Sequence, residues 1–172
     1  DSDQALAPDA AAVHPQAAGN VLIEGKIRTP GVDAAFEAAA EIIEIEIRSH
    51  RQSAMPLEAR AAHAAFDSAS GRVTLTASVQ MPHMLRTGLA DILGMAEADL
   101  RVVAPDVGGA FGQKMSLAPE HAVVVWLARK LRRSMRWIED RRENLMASFH
   151  SRDQHYVVRG AFDADYKLLA ID

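Results

Sequence analysis

The sequence predicts an α+β fold, a two-layer arrangement in which strand pairs alternate with helices around a mixed sheet. Three observations support this class. Within Glu41–His50, isoleucines alternate with charged side chains, which is the period-2 pattern of a strand with one buried face. Ser68–Gly71 (SASG) is a turn-rich spacer between two apolar runs, which is typical of a β-hairpin. Apolar side chains then recur at helical spacing from Pro82 until Gly94 supplies a stop.

Local signals predict the other elements in chain order. A short helix is expected at Val32–Ala40, followed by hairpin strands at Ala59–Asp67 and Arg72–Val79. The run Leu100–Ala104 predicts a strand, and a helix from about Leu117 to Arg132 is expected to follow it, capped by Ser116. The last predicted elements are a strand at Met135–Ile138, a helix from the cap Asp140 to Ala147, and a hairpin of Gln154–Phe162 with Leu168–Ile171 across Asp163–Lys167.

The first 20 residues are rich in Ala, Pro, Asp and Gln without a period, and they predict an extended lead-in. Residues 21–172 are then expected to form one lobe of a larger domain. The chain begins with Asp1 and ends with the strand-like run Tyr166–Asp172. Both features are expected of a piece of a longer protein.

Composition excludes several classes of function. The net charge of −4 gives no basic footprint for nucleic acid. The sequence contains no cysteine, which excludes disulfides, thiolate zinc sites and cysteine-ligated iron–sulfur clusters from this chain. It also contains no apolar stretch of the roughly 18 residues that a membrane span needs. The expected location is the cytoplasm, and electrons from any redox reaction would have to leave through another polypeptide.

A glycine-rich loop, Gly108–Gly112 (GGAFG), follows the predicted strand and precedes the predicted helix. It is not a Walker A loop, because Gln113 precedes Lys114 and Met115 follows it, and it does not match G-x-G-x-x-G. Such a strand–turn–helix arrangement directs backbone N–H groups at an anionic or oxygen-rich ligand. A tight turn that needs glycine only for its dihedral angles is the competing interpretation. Phe111 favours a ligand, because a bulky aromatic between glycines is costly to expose.

Other candidate functional residues are interpreted in structural terms. Glu58 could be a catalytic carboxylate, but beside Arg60 it is interpreted as half of a local ion pair. The stretch WIEDRREN, Trp137–Asn144, is charged at helical spacing and by itself indicates a solvated face. The seven histidines lack the spacing of a metal site.

Four stretches taken together resemble one family. They are MPLEAR (Met55–Arg60), SVQMPH (Ser78–His83), LRVVAPDVGGAFGQK (Leu100–Lys114) and WIEDRRENLMASFHSRDQ (Trp137–Gln154). In this order they resemble the molybdopterin-binding large subunit of the molybdenum hydroxylases, the xanthine dehydrogenase and aldehyde oxidase family, and most closely its aerobic carbon monoxide dehydrogenase-like branch. The chain would then be a partial molybdenum-cofactor-binding domain, its first lobe.

The resemblance implies roles for particular residues. Phe111 matches the residue whose backbone contacts oxygen ligands of the molybdenum, and Gly108, Gly109, Ala110 and Gly112 would let the loop approach the cofactor. Gln80 matches the glutamine whose side-chain amide donates to an oxo group on the metal. Gln80 and Phe111 would thus contact ligands of the molybdenum without binding the metal directly. The implied catalytic base lies outside this chain, so no catalytic residue is assigned.

The implied cofactor is molybdopterin, in its plain or cytosine dinucleotide form. The implied reaction oxidises an aldehyde, a heteroaromatic carbon or carbon monoxide with water as the oxygen source. Implied partners are the rest of the large subunit, together with iron–sulfur and FAD subunits or domains that accept the electrons. Two departures stand out: Ala110 replaces a glycine found in many members, and Met115 replaces the glutamate of purine-oxidising members, which argues against purines.

Two other functions stay open at this point. The chain could be a non-catalytic assembly piece that docks onto partner subunits without holding a cofactor. It could also be a phosphate-binding α/β module that uses the glycine loop alone. Molybdenum content distinguishes the first alternative from an enzyme fragment, and nucleotide binding tests the second.

Overall fold

A computed structural model describes residues 2–172, so Asp1, the first residue of the predicted lead-in, lies outside the described residues. The helices are α1 (Ser2–Ala5), α2 (Val32–Glu37), α3 (Pro82–Leu93), α4 (Pro119–Leu131) and α5 (Arg141–Ala147). The strands are β1 (Glu41–Ser49), β2 (Ala61–Phe66), β3 (Val73–Ala77), β4 (Leu100–Val103), β5 (Met135–Ile138), β6 (Gln154–Phe162) and β7 (Leu168–Ile171).

The predicted α+β class is confirmed, but the strands form two sheets instead of one. The described residues up to Gln52 form one compact unit with Ser151–Asp172, and Ser53–His150 form the other. The division arises because β1 pairs with β6, more than a hundred residues later, and not with the strands that follow it directly. Among residues 2–172, no helix has the length and apolar character needed to cross a membrane.

The first unit is an antiparallel sheet in the order β1-β6-β7. β1 pairs with β6 from Glu41 opposite Phe162 to Ser49 opposite Gln154, and the predicted β6–β7 hairpin is confirmed. The alternation in β1 places Ile43, Ile45 and Ile47 on one face, as predicted. These isoleucines are 46–55% exposed, so the predicted burial of this face is wrong: no element among the described residues covers it.

The second unit contains a mixed four-stranded sheet in the order β4-β3-β2-β5. β3 runs parallel to β4, while β2 is antiparallel to both β3 and β5, which confirms the predicted hairpin across Ser68–Gly71. Helices α3 and α4 pack on one face of this sheet. The core between the two layers is formed by buried side chains of β2, β3, β4, α3 and α4: Ala62, Ala64, Val73, Leu75, Ala77, Leu85, Leu89, Leu100, Val124, Val125 and Ala128.

The described part of the lead-in is folded back on itself, which differs from the extended segment that the sequence predicts. The side chain of Asn20 explains this: its Nδ2 donates to the carbonyl oxygens of Ala5 and Ala11 at 2.8 and 3.0 Å. Its Oδ1 accepts from the backbone of Val13 at 2.8 Å. A composition-based prediction could not detect these contacts, because they depend on one amide side chain in a closed loop.

The predicted start of α4 is wrong by about two residues. The helix begins at Pro119 and its N-cap is Ala118, not Ser116. Proline suits the first helical position because its fixed φ matches the helix and its missing N–H needs no partner there. The backbone N–H of Ala118 donates to Nδ1 of His121 at 3.2 Å, so a ring nitrogen binds the N-cap residue.

Candidate functional site

The glycine loop begins after β4 and precedes α4, where the sequence placed it. Three of its residues have positive φ angles: Gly109 at 87°, Phe111 at 52° and Gly112 at 90°. Glycine adopts this region without strain, whereas a phenylalanine loses roughly 1 kcal/mol or more by doing so. Phe111 is nonetheless 79% exposed, so packing of its ring does not fully explain its conformation. Strain of this kind concentrates at functional sites.

Each predicted loop residue has a distinct place. Ala110 is buried, and its carbonyl oxygen accepts from the backbone of Gln113 at 3.0 Å. The ring of Phe111 lies over Gly109, where an added Cβ would be 3.1 Å from the ring. At Gly108 an added Cβ would be 2.7 Å from the Cβ of Glu58, so a side chain cannot fit without movement. Glycine is therefore required at position 108, because the backbone there lies close to the segment that contains Glu58.

A cluster of hydrogen-bonded polar groups lies at the start and end of this loop, and we call Glu58, Ser78, Gly108 and Lys114 the Glu58 cluster. Ser78 and Lys114 are buried, whereas the side chain of Glu58 is 38% exposed. Oε2 of Glu58 accepts from Oγ of Ser78 at 2.6 Å, from Nζ of Lys114 at 2.7 Å and from the backbone of Gly108 at 2.8 Å. The side chain of Lys114 is fully buried. The predicted local ion pair between Glu58 and Arg60 is wrong, because each residue pairs with a distant partner.

The electrostatics of the cluster favour an ionised Glu58. Burial opposes ionisation, but hydrogen bonds from Lys114, Ser78 and the Gly108 backbone outweigh it and hold the pKa of the Glu58 carboxyl below its usual value. Because a buried ammonium group needs a counter-charge, the carboxylate of Glu58 serves as the partner of Lys114.

A second set of buried polar groups anchors the loop from the other side, and we call Arg60, Gln113, Glu139 and Asn144 the Gln113 chain. Nε2 of Gln113 donates to the carbonyl oxygen of Ala54 at 2.6 Å, and its Oε1 accepts from Nδ2 of Asn144 at 3.1 Å. The same Nδ2 donates to Glu139 at 2.8 Å, and Glu139 accepts from the backbone of Arg60 at 2.9 Å.

The interpretation of WIEDRREN as a solvated face is therefore wrong for Glu139 and Asn144, which are buried. Burial opposes ionisation of Glu139, but the hydrogen bonds from Arg60 and Asn144 hold the pKa of its carboxyl below its usual value. The predicted cap of α5 is confirmed: Asp140 accepts from the backbone of Glu143 at 2.7 Å, and Glu143 accepts in return at 2.9 Å. This cap fixes the start of the helix that carries Asn144.

Gln80 follows β3 and lies against the end of the loop. Its backbone N–H donates to the carbonyl oxygen of Lys114 at 3.0 Å, which ties the segment after β3 to the residue that ends the glycine loop. The side chain of Gln80 is exposed. Within residues 2–172, no group accepts a hydrogen bond from the Gln80 amide or from the backbone N–H groups of Ala110, Phe111 and Gly112.

Sequence reasoning missed five residues of these two sets: Ser78, Gln113, Lys114, Glu139 and Asn144. All five lie inside the four stretches that carry the family resemblance, and that was the available signal. The structure shows what the stretches share: each contributes a polar group to the Glu58 cluster, to the Gln113 chain or to both. Two sets of hydrogen bonds therefore shape a loop whose central amides have no partner in the described chain.

Comparisons with known proteins identify the class of domain to which this α+β unit and its glycine loop belong. The family model described as the molybdopterin cofactor-binding domain matches residues 13–172. The chain belongs to this family, within the large subunits of the molybdenum hydroxylases.

Individual relatives agree with the family. The chain is 34% identical to the nicotine 6-hydroxylase large subunit of Paenarthrobacter nicotinovorans over 88% of its own length. It is 35% identical to the carbon monoxide dehydrogenase large chain of Afipia carboxidovorans over 82%. It covers only 19% and 17% of these relatives, about a fifth of each. The quinoline 2-oxidoreductase structure from Pseudomonas putida 86 superposes with a TM-score of 0.72 at 37% identity, covering 81% of this chain and 18% of that one.

Proposed function

We propose that the glycine loop and Gln80 form part of a molybdopterin site in a molybdenum hydroxylase large subunit. The observation that carries the proposal is the set of unpartnered donors in the described chain, namely the backbone amides of Ala110, Phe111 and Gly112 and the side-chain amide of Gln80. Neutral amide donors suit the oxo and phosphate oxygens of such a cofactor. The positive φ angles at 109, 111 and 112 give the loop its tight backbone path.

The residues present fit the cofactor in a second respect. Gly108 approaches Glu58 so closely that no Cβ fits, and the loop is thereby held against the Glu58 cluster while Phe111 and Gly112 stay exposed. When bound, the cofactor supplies the metal centre at which a carbon is oxidised with oxygen from water. The chain's own contribution is to bind and orient: Gln80 and the Phe111 backbone would donate to oxygen ligands, and Ala110 and the glycines would permit close approach.

The reaction we propose for the whole enzyme is oxidation of an aldehyde, a heteroaromatic carbon or carbon monoxide. The names of two of the relatives, a nicotine hydroxylase and a quinoline oxidoreductase, support testing nitrogen heteroaromatics first. Met115 in place of a carboxylate argues against purines. The cytosine dinucleotide form of the cofactor, iron–sulfur and FAD partners and a cytoplasmic location stay predictions. Because no base is assigned within the chain, we expect the 172-residue chain alone to be inactive.

The test is cofactor content. The 172-residue chain, produced in a host that makes molybdopterin, is purified and assayed for molybdenum by elemental analysis and for pterin by fluorescence. We expect both to be retained, and Gln80→Ala to lose most of them, while Gln16→Ala, at another exposed glutamine, retains them. Absence of both from the wild-type chain would favour an assembly piece. Calorimetric binding of nucleotides without molybdenum would favour the phosphate-binding module.

A further inference from the structure

One oxygen atom joins three segments of the second unit. Oε2 of Glu58 accepts from Ser78 at the end of β3, and from Gly108 and Lys114 at the two ends of the glycine loop. All three distances lie between 2.6 and 2.8 Å. Hydrogen bonds to an ionised carboxylate are stronger than neutral ones, so this oxygen is an effective anchor.

The backbone reinforces the same anchor points. The N–H of Glu58 donates to the carbonyl oxygen of Gly108 at 3.2 Å, so Glu58 binds both backbone groups of that glycine. At the other end, Lys114 is bound through its side chain to Glu58 and through its carbonyl oxygen to Gln80. Both ends of the loop are fixed, whereas the amides of Ala110, Phe111 and Gly112 between them have no partner among residues 2–172.

Stability alone is a weak explanation for this arrangement. Removing a lysine ammonium from water is unfavourable, and replacing a buried ion pair by apolar side chains of similar volume is often neutral or stabilising. Lys114 is fully buried, and it lies beneath an exposed loop instead of in the apolar core. An ion pair that buries its lysine and makes such directional contacts is better explained by the segments that it positions.

We propose that Glu58 and Lys114 are positioning residues, which hold the two ends of the glycine loop so that its unpartnered amides keep one fixed arrangement. The purpose of this arrangement, presenting donors to a cofactor, rests on the function proposed above. The positioning itself is a property of this chain and can be measured without any cofactor.

The experiment is hydrogen exchange followed by NMR on the cofactor-free 172-residue chain. Four hydrogen-bonded backbone amides report the shape of the loop: those of Gly108 and Gly109 within it, and those of Gln113 and Met115 directly after it, which donate to loop carbonyl oxygens. Amides of β3 report global unfolding in the same sample. The variants are Glu58→Gln, Lys114→Met and the double variant with both changes. Glu97→Gln is the matched control, since Glu97 also binds a hydroxyl group and a cation but lies away from the loop.

We expect the loop amides to exchange at least tenfold faster in Glu58→Gln, and Glu97→Gln to leave them unchanged. The decisive variant is the double one. Because it contains no uncompensated charge, its urea midpoint should recover toward the wild-type value, while Gly108 and Met115 keep exchanging at least tenfold faster. Recovery of both the midpoint and the loop protection would show that the pair only balances charge, and would overturn the proposal.

Ser78→Ala keeps the proposal testable if the charge variants fail to fold, because it removes a single hydrogen bond to Glu58. We expect at least threefold faster exchange at Gly108 in this variant, with the β3 amides unchanged. Unchanged exchange at Gly108 would overturn the proposal. Cofactor content is measured separately, so a chain without molybdenum but with the expected exchange would contradict the proposed function and leave the positioning role intact.

Discussion

The guanidinium group of Arg60 and the carboxylate of Glu139 form a buried ion pair, with Nη2 2.5 Å and Nε 3.0 Å from Oε1. Their side chains are 4% and 0% exposed, and 79 residues separate them in the chain. The backbone N–H of Arg60 also donates to Glu139 at 2.9 Å. This pair connects the start of β2 to the end of β5, and through Asn144 it reaches the glycine loop.

Glu139→Gln should destabilise the chain by about 3 kcal/mol. The change leaves Arg60 charged and buried, with Glu120 at 3.6 Å as its neighbouring carboxylate. Urea unfolding followed by circular dichroism measures the effect. Glu97→Gln, at an exposed pair with Arg86, is the control and should change the midpoint far less. Equal losses of stability in Glu139→Gln and Glu97→Gln would contradict the prediction that burial makes the first change more costly.

Gly108→Ala and Gly112→Ala should differ although both change a glycine of the same loop. At Gly112 the site is open and only the φ of 90° opposes alanine, so the loss should be about 1 kcal/mol. At Gly108 the new Cβ would overlap with that of Glu58, and the loss should be about 2 to 3 kcal/mol. Thermal and urea unfolding of both variants check this order. The reverse order would show that the approach of Glu58 to Gly108 is not tight.

Phe111→Gly should be more stable than Phe111→Ala by about 1 kcal/mol, because glycine relieves the strain of a φ of 52° and alanine does not. Both variants lose the same ring, so the difference between their stabilities reports the effect of the backbone conformation alone. The same pair of changes at Met115, which has no positive φ, should favour alanine. Unfolding midpoints that favour alanine at both positions would contradict a left-handed conformation at Phe111.

Stability should fall as the pH drops below about 6.5 because of His121. Burial, aided by the charge of Arg60, lowers the pKa of this histidine despite the opposing effect of Glu120. The unfolded chain therefore takes up a proton near pH 6.5 while the folded chain does not, so the stabilisation is complete above that pH and is lost as the pH falls toward the folded pKa. Glu58 and Glu139 have lowered pKa values too, and their contributions are lost at more acidic pH, below about 4.3.

The measurement is the free energy of unfolding at intervals between pH 5 and pH 7. His121→Asn should flatten the dependence, and His63→Asn, at an exposed position, should preserve it. Identical slopes in the wild type and in His121→Asn would contradict the assignment.

The exposed face of β1 should make the isolated chain self-associate. Ile43, Ile45 and Ile47 lie on this face, and exposed apolar patches drive association. Sedimentation velocity over a concentration series should show oligomers that Ile45→Lys weakens. Val157→Lys is the control, because Val157 is equally exposed, at 55%, but lies on the opposite face of the sheet. A strictly monomeric wild-type chain at high concentration would contradict the prediction.

Much of the secondary structure was predictable because its signals are local. The alternation in β1, the spacer Ser68–Gly71 and the cap Asp140 each define an element from adjacent residues, and the structure confirms all three. The start of α4 was not predictable from Ser116, because Pro119 and the side chain of His121 set it instead. The family was predictable from four sequence stretches that occur in one order. The hydrogen bonds that connect these stretches could not be inferred from the sequence.

The sequence by itself determined most of the elements, the α+β class and the family, since these depend on periodicity, turn residues and motifs within short stretches. Only the tertiary structure decided that the strands divide into two sheets and that Glu58 pairs with Lys114, 56 residues away, instead of with its neighbour Arg60. The reason is physical: a buried charge is stabilised by whichever opposite charge the fold brings within hydrogen-bond distance, and sequence proximity does not measure that distance. The glycine loop illustrates both contributions. Its glycines identify it in the sequence, whereas its shape depends on contacts from three other segments.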